Sequence, residues 1–184
     1  MYLNTRLIVL VRLGVDDERD ADFECEDQDL TDFFFDDSAN YCKQLIAVTY
    51  IWYDMEDDKV TAYFSMSNDS ISRTDANKKA YNKAARKVPN AKRVTTLPAV
   101  KIGRLAVHKD YTGRGIGSVI LNKIKDWFID GNNKTGCRFI VVDALNNPLA
   151  INFYKKNEFK FLLGDIDKED KTRLMFFDLT TVKQ

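Results

Sequence analysis

Residues 101–128 constrain this chain more than any other stretch: K-I-G-R-L-A-V-H-K-D-Y-T-G-R-G-I-G-S-V-I-L-N-K-I-K-D-W-F. The run from Ile102 to His108 is mostly apolar, as in a strand covered on both faces. Gly113, Gly115 and Gly117 follow at alternate positions. Ile116, Val119, Ile120, Ile124, Trp127 and Phe128 then recur at steps of three and four, which marks the buried stripe of a helix. A strand that turns through glycines into a helix leaves backbone N–H groups uncovered at the helix start. Such an end carries roughly half a positive charge and suits phosphate. Two glycine motifs are excluded by spacing. A Walker loop needs Lys then Ser or Thr after its last Gly, and Gly117 is followed by Ser118 and Val119. The dinucleotide fingerprint needs Gly-x-Gly-x-x-Gly, and the spacing here is Gly-x-Gly-x-Gly.

The rest of the chain, 184 residues with as many acidic as basic side chains, fits one domain of residues 1–184 with a substantial core. Cys25, Cys42 and Cys137 show no metal-ligand spacing, and His108 is the single histidine. No metal is therefore expected, and a reduced, cytoplasmic setting is. The same scarcity speaks against a Ser-His-Asp or Cys-His hydrolase. Leu7 to Val11 is apolar but bracketed by Arg6 and Arg12, so it reads as a first strand rather than a signal or membrane segment.

In order, the pattern predicts a strand over 6–13 and an intensely acidic stretch over 16–37. Within that stretch Asp27 is an N-cap for a helix bearing Leu30, Phe33 and Phe34, followed by a short helix over 38–44. Strands over 45–53 and 59–67 form a hairpin across the polar turn 54–58. A helix over 74–87, capped by Thr74 or Asp75, is strongly basic and thinly apolar, so shallow docking or mobility is expected; Pro89 and Pro98 bound the loop after it. Beyond residue 128 come a strand over 138–144, a helix over 148–156 with Pro in its first turn, and strands over 159–163 and 173–179 across a charged turn at 165–171. The fold class is therefore mixed α/β: a mostly antiparallel central sheet of about six to seven strands with helices on both faces.

Two segments carry a family resemblance. Thr112-Gly113-Arg114-Gly115-Ile116-Gly117 resembles the acetyl-CoA loop of the GCN5-related N-acetyltransferases (GNAT), whose signature is Gln or Arg, two residues, Gly, one residue, then Gly or Ala. The glycines match, and Thr112 stands where the family has Gln or Arg. About thirty residues on, Asn147, Ala150, Phe153, Tyr154, Lys156 and Phe159 fall into register with the family's second motif, with Glu158 at a family glycine. The element order is that of the family too. Residues 23–33, 62–72 and 97–107 are similar to one subgroup, the acetyltransferase toxins of type II toxin–antitoxin modules, which acetylate the α-amine of aminoacyl-tRNA.

The resemblance implies direct acetyl transfer from acetyl-CoA to a primary amine. It places the pyrophosphate on the N–H groups of Gly113, Gly115, Gly117 and Ser118, with Thr112, Arg114 and Asn147 as further cofactor contacts. Backbone N–H groups over Leu105 to Val107, Val107 above all, would face the oxyanion. The Tyr154 hydroxyl would protonate the CoA thiolate, since a tyrosine of pKa about 10 keeps its proton at neutral pH. No residue is nominated as general base; His108 reads as a solvated strand-end residue, and Glu24, Glu26 and Asp143 have no defined geometry. Three readings stand side by side: an acetyltransferase on an unidentified amine, a toxin-like enzyme on aminoacyl-tRNA, and a CoA-binding module without transfer activity. For the tRNA reading the contacts would be Arg104 with Lys78, Lys79, Lys83, Arg86 and Tyr81. An antitoxin protein and a second copy of the chain, paired through the last strands, are the candidate protein partners.

Overall fold

The computed structural model describes residues 2–3, 6–74, 78–86, 88–90, 93–164 and 167–182. Strands are β1 (Tyr2–Leu3), β2 (Arg6–Arg12), β3 (Val48–Asp54), β4 (Lys59–Ser72), β5 (Thr96–Val107), β6 (Phe139–Leu145), β7 (Lys160–Phe161) and β8 (Thr172–Asp178). Helices are α1 (Gln28–Asp32), α2 (Ser38–Lys43), α3 (Lys78–Ala85), α4 (Ile116–Ile129) and α5 (Pro148–Lys156). The chain divides into two compact units, Met1–Ser67 with Ile102–Ile120, and Asn68–Lys101 with Leu121–Gln184. Both long strands, β4 and β5, contribute to each unit, as does α4.

In the first unit the strand order is β1-β2-β3-β4-β5. The pairs from β1 to β4 are antiparallel. Asp27 caps α1 as expected, its carboxylate accepting from the Asp29 N–H at 3.0 Å. The two helices expected over 27–44 are joined without a break by a π-helical turn, Phe33–Asp37. That turn delivers Phe33 and Phe34 into one core with Phe23, Ile51, Val60 and Tyr63. Tyr63 is its centre: its ring lies 5.1 Å from Phe34 and 5.4 Å from Phe23, and its hydroxyl donates to Leu30 O at 2.5 Å.

Strand β3 starts at Val48, not at residue 45, because α2 ends through Leu45 in the left-handed region (φ 58°). The hairpin register slips between Trp52 and Tyr53, where Thr61 is the extra residue of β4. The burial phase of β3 changes beside that point, with Thr49 and Ile51 buried, then Trp52 on the near side of the slip and Asp54 on the far side. The Thr61 hydroxyl donates to Trp52 O at 3.0 Å and so satisfies a carbonyl beside the bulge.

In the second unit the order is β4-β5-β6-β8-β7, with β8 antiparallel to both β6 and β7. The edge at β7 is two residues long, so it offers little backbone for pairing with another copy. Pro98 lies inside β5 rather than bounding a loop; its carbonyl accepts from Arg138 N–H at 2.9 Å, a bond that needs no proline N–H. Helix α3 is not shallowly docked. Tyr81, 2% exposed, and Ala85 enter the core formed by Ile71, Leu97, Phe139 and Phe176, and the Tyr81 hydroxyl donates to Val94 O at 2.9 Å. The Asp75 cap and the far end of the helix at Lys87 lie outside the described residues, as do Asp165 and Ile166 of the charged turn.

Phe34 is fully buried against three aromatic rings. Phe34→Ala should cost about 3–5 kcal/mol. In urea titration the midpoint should fall with no change of slope; a loss below about 1 kcal/mol would mean that the ring cluster does not hold this unit together.

Candidate active site

The glycine loop belongs to the first unit and is anchored before it begins. The His108 N–H donates to Thr61 O at 2.9 Å, so the end of β5 is held at the bulge of β4. The His108 side chain is buried, not solvated as the sequence suggests, and sits edge-on to Phe23 and Tyr111. Its Nδ1 accepts from the Asp110 N–H at 3.1 Å, which leaves Nε2 to donate to Asp22 O, also at 3.1 Å. Both nitrogens are engaged with backbone, so this imidazole is a clamp and not a free base. Beside it the Lys109 N–H donates to Glu24 O at 2.9 Å, and the Lys109 ammonium pairs with the Glu24 carboxylate. The Tyr111 hydroxyl donates to Asp57 Oδ2 at 2.6 Å.

From these anchors the chain passes Thr112 and enters the loop. Gly113 and Gly115 have φ of +79° and +80°, a region in which any Cβ is strained even though none would meet a neighbour here. Gly115 O accepts from the N–H groups of Ser118 (3.1 Å) and Val119 (3.2 Å), so helix α4 opens on Gly115, with Gly117 in its first turn. The Ser118 N–H is thus already bonded within that turn. Arg114 folds back, donating to Asp110 O at 2.8 Å with its guanidinium 4.7 Å from the Tyr111 ring centre. Thr112, Gly113, Arg114 and Gly115 are exposed, and no bulky side chain stands over the turn. This donor set, an exposed helix start next to a guanidinium, fits a pyrophosphate.

On β5, Leu105 and Val107 are half-buried and alternate with the buried Ala106. Arg104 is exposed, its guanidinium 5.0 Å from the Phe33 ring centre and its Nη1 on Gly103 O at 2.8 Å.

The second unit holds Asn147 and Tyr154 on α5. Asn147 is the N-cap, accepting from the Ala150 N–H at 2.8 Å, and Pro148 takes the first turn as expected. Tyr154 is 8% exposed, with its ring against Phe153 (5.0 Å) and Phe159 (5.4 Å). Burial pushes its hydroxyl pKa well above the usual tyrosine value, so it stays protonated. The helix closes just beyond it. The Glu158 N–H donates to Lys155 O (3.0 Å) and the Phe159 N–H to Tyr154 O (3.0 Å), the paired bonds of a Schellman motif. Glu158 takes the left-handed position of that motif, φ +70°, where the related motif has glycine. The departure leaves the helix exit intact at the expense of local strain.

The sequence also conceals Lys125. It lies on the stripe of α4, one turn beyond Leu121, and is 6% exposed. Its ammonium donates to Asn157 O at 3.1 Å and sits 4.2 Å from the Phe177 ring centre. Spacing was the available signal, since residues 117, 121 and 125 share a helix face. Of the carboxylates considered as bases, Glu24 is paired with Lys109, and Asp143 with Lys101 at 2.5 Å. On and beside α3, Arg73, Lys78, Lys79, Arg86 and Arg93 are exposed; Tyr81 is core and leaves that surface. Among the described residues no helix is long and apolar enough to cross a membrane, and no cluster of three His, Cys, Asp or Glu could hold a metal.

Residues 77–161, the span of both motifs, match the family model of the acetyltransferase (GNAT) domain. This stretch is a GNAT acetyltransferase domain. Against curated proteins the sequence finds no match. Among solved structures the fold is similar to AtaT complexed with acetyl-methionyl-tRNAfMet, at 23% identity over 95% of this chain and 96% of that one, with a TM-score of 0.75. It is similar to a mutant AtaT toxin bound to the C-terminus of the antitoxin AtaR and acetyl-CoA, at 22% identity over 95% and 94%, TM-score 0.70. A further bacterial toxin matches at 15% identity over 96% and 93%, TM-score 0.76. These identities speak to the fold, and the GNAT fold it is.

The strain at Glu158 is removable. Glu158→Gly should raise stability by about 0.5–1 kcal/mol, the left-handed penalty less the extra chain entropy of glycine. Thermal unfolding with and without acetyl-CoA checks it; a fall in the midpoint would show that the exposed Glu158 side chain, not its backbone, matters there.

Proposed function

We propose that this protein, acting as one acetyltransferase domain over residues 1–184, transfers the acetyl group of acetyl-CoA to the α-amine of an aminoacyl-tRNA. The observation that carries the reading is the strand–glycine loop–helix turn, with two left-handed glycines opening α4 inside a GNAT acetyltransferase domain. Acetyl-CoA supplies the activated acyl group. The Gly113–Gly117 turn holds its pyrophosphate, with Arg114 and Thr112 alongside and Asn147 fixing the start of α5; the Ser118 N–H, bonded to Gly115 O, is not part of that set. Backbone N–H groups at Leu105 to Val107 face the carbonyl oxygen. The amine forms the new C–N bond as the C–S bond breaks; Tyr154 gives its proton to the departing thiolate, the amine proton passes to solvent, and the tyrosinate takes a proton back from solvent before the next turnover.

The choice of acceptor rests on two supports. Solved relatives of the same fold include a toxin complexed with acetyl-methionyl-tRNA and one bound to an antitoxin. The described part of α3 and its flanks presents exposed cations in a form suited to a phosphate backbone. An α-amine of pKa near 7.7–8.0 is partly neutral at physiological pH. A site whose histidine is engaged with backbone and whose Glu24 and Asp143 are paired suits such an acceptor better than a lysine. The same reading places the protein in the cytoplasm with charged tRNA and gives it an antitoxin partner.

The test is transfer of labelled acetyl, with charged tRNA, an N-terminal peptide and a polyamine offered in parallel. Label in the tRNA that alkaline deacylation releases supports the reading. Label only in peptide or polyamine moves the enzyme to another amine, and no label with acetyl-CoA still bound points to a binding module. Tyr154→Phe should lower kcat by about 10²-fold or more with acetyl-CoA affinity unchanged. Because the Tyr154 pKa is raised, its acid form does not run out on the alkaline side: over the range in which the aminoacyl ester survives, kcat/KM should climb as the amine deprotonates through about pH 7–8 and then level off without falling. Replacing Lys78, Lys79, Lys83 and Arg86 together by Ala should weaken tRNA binding and flatten its salt dependence by about one unit of slope per lost phosphate contact. Unchanged binding would remove α3 from the RNA surface.

A further inference from the structure

Lys125 is a buried cation that acetyl transfer as described does not use. Among the described residues no carboxylate forms an ion pair with it. Burial pulls its pKa below the ordinary lysine value, partly offset by Glu158 and Asp126, so the charged form is held at an energetic disadvantage. Methionine has nearly the same length and would fill this apolar position without that penalty. Stability is therefore not what a lysine here serves best.

Its contacts point elsewhere. The ammonium donates to Asn157 O, the C-cap carbonyl of α5, three residues after Tyr154. A cation at this end of the helix also answers the helix dipole. The same ammonium lies over the Phe177 ring. Phe177 packs on Phe159 at 5.7 Å, and Phe159 on Tyr154 at 5.4 Å. Two independent lines, one of backbone and one of rings, lead from Lys125 to Tyr154.

We propose that Lys125 is a positioning residue for the proton donor: by closing the end of α5 and seating the Phe177–Phe159–Tyr154 ring stack, it sets where the Tyr154 hydroxyl stands during acetyl transfer. The proposal rests on Tyr154 being the proton donor, and the test separates the two. Ring signals of the eight tyrosines are followed by NMR in the full chain, Tyr154 being assigned by its loss in Tyr154→Phe. In Lys125→Met the Tyr154 signal should shift and kcat fall about tenfold, with acetyl-CoA Kd unchanged. Lys125→Arg, which keeps a donor and a charge, should restore most of both. In the double variant Lys125→Met with Tyr154→Phe, kcat should equal that of Tyr154→Phe alone, since no hydroxyl is left to place. An unmoved Tyr154 signal in Lys125→Met, or a tenfold loss that persists in the Tyr154→Phe background, overturns the proposal. A shifted signal together with full activity in Tyr154→Phe keeps the brace and removes the proton-donor role.

Discussion

Two glycines in the left-handed region set the geometry of the loop on which the proposed cofactor site rests. Strand β5 must turn into helix α4 within a few residues, and at Gly113 and Gly115 the backbone takes φ near +80° to do so. L-residues are penalised there by about 1–2 kcal/mol each. Glycine removes that penalty and leaves no side chain over the N–H groups at the helix start. The turn and the proposed anion site are thus one feature. A loop so permissive needs fixing from outside, and the residues just before it provide this. His108, Lys109 and Tyr111 tie it to Asp22, Glu24 and Asp57. Part of the acidic stretch of the chain serves as this anchorage.

The second unit solves a similar problem at the other end of a helix. Tyr154 sits on the last turns of α5, where helices fray. Its place is held by a Schellman closure, a ring contact with Phe159 and a buried lysine on the C-cap carbonyl. The closure needs a left-handed residue, and here that residue is Glu158. A departure from the family motif thus costs stability locally without changing the path of the chain. The proposed proton donor and the proposed pyrophosphate cradle are each built on a helix end, the one at its finish and the other at its start. Helix termini are where backbone groups point outward and where small geometric changes are felt most.

Much of this was legible in the residues. Residue pattern located the five α-helices and, among the described residues, each strand longer than two residues, and the Asp27 cap and Pro148 stand where residue chemistry put them; β4 runs on to Ser72 and β5 starts at Thr96, both beyond the expected bounds. What was not legible shares a physical cause: identity does not report burial. His108 beside two charged residues reads as solvated, yet its ring fills a gap between Phe23 and Tyr111 and spends both nitrogens on backbone. Tyr81 in a basic helix reads as a surface aromatic, yet it is what anchors α3 in the core. The π-helical turn and the bulge at Thr61 insert one residue into an otherwise regular count, and no local propensity marks such an insertion.

The division between the two sources is therefore definite. Sequence alone determined the fold class, the glycine loop, the second motif with Tyr154 and the basic character of α3, because these are set by local backbone preference, hydrophobic period and side-chain type. Only the tertiary structure decided which charged groups remain available. It took His108, Glu24, Asp143 and Lys125 into clamps and braces, and it raised the Tyr154 pKa by removing water from its hydroxyl. Those outcomes depend on what packs against each group from distant parts of the chain, and desolvation, unlike propensity, is a property of neighbours.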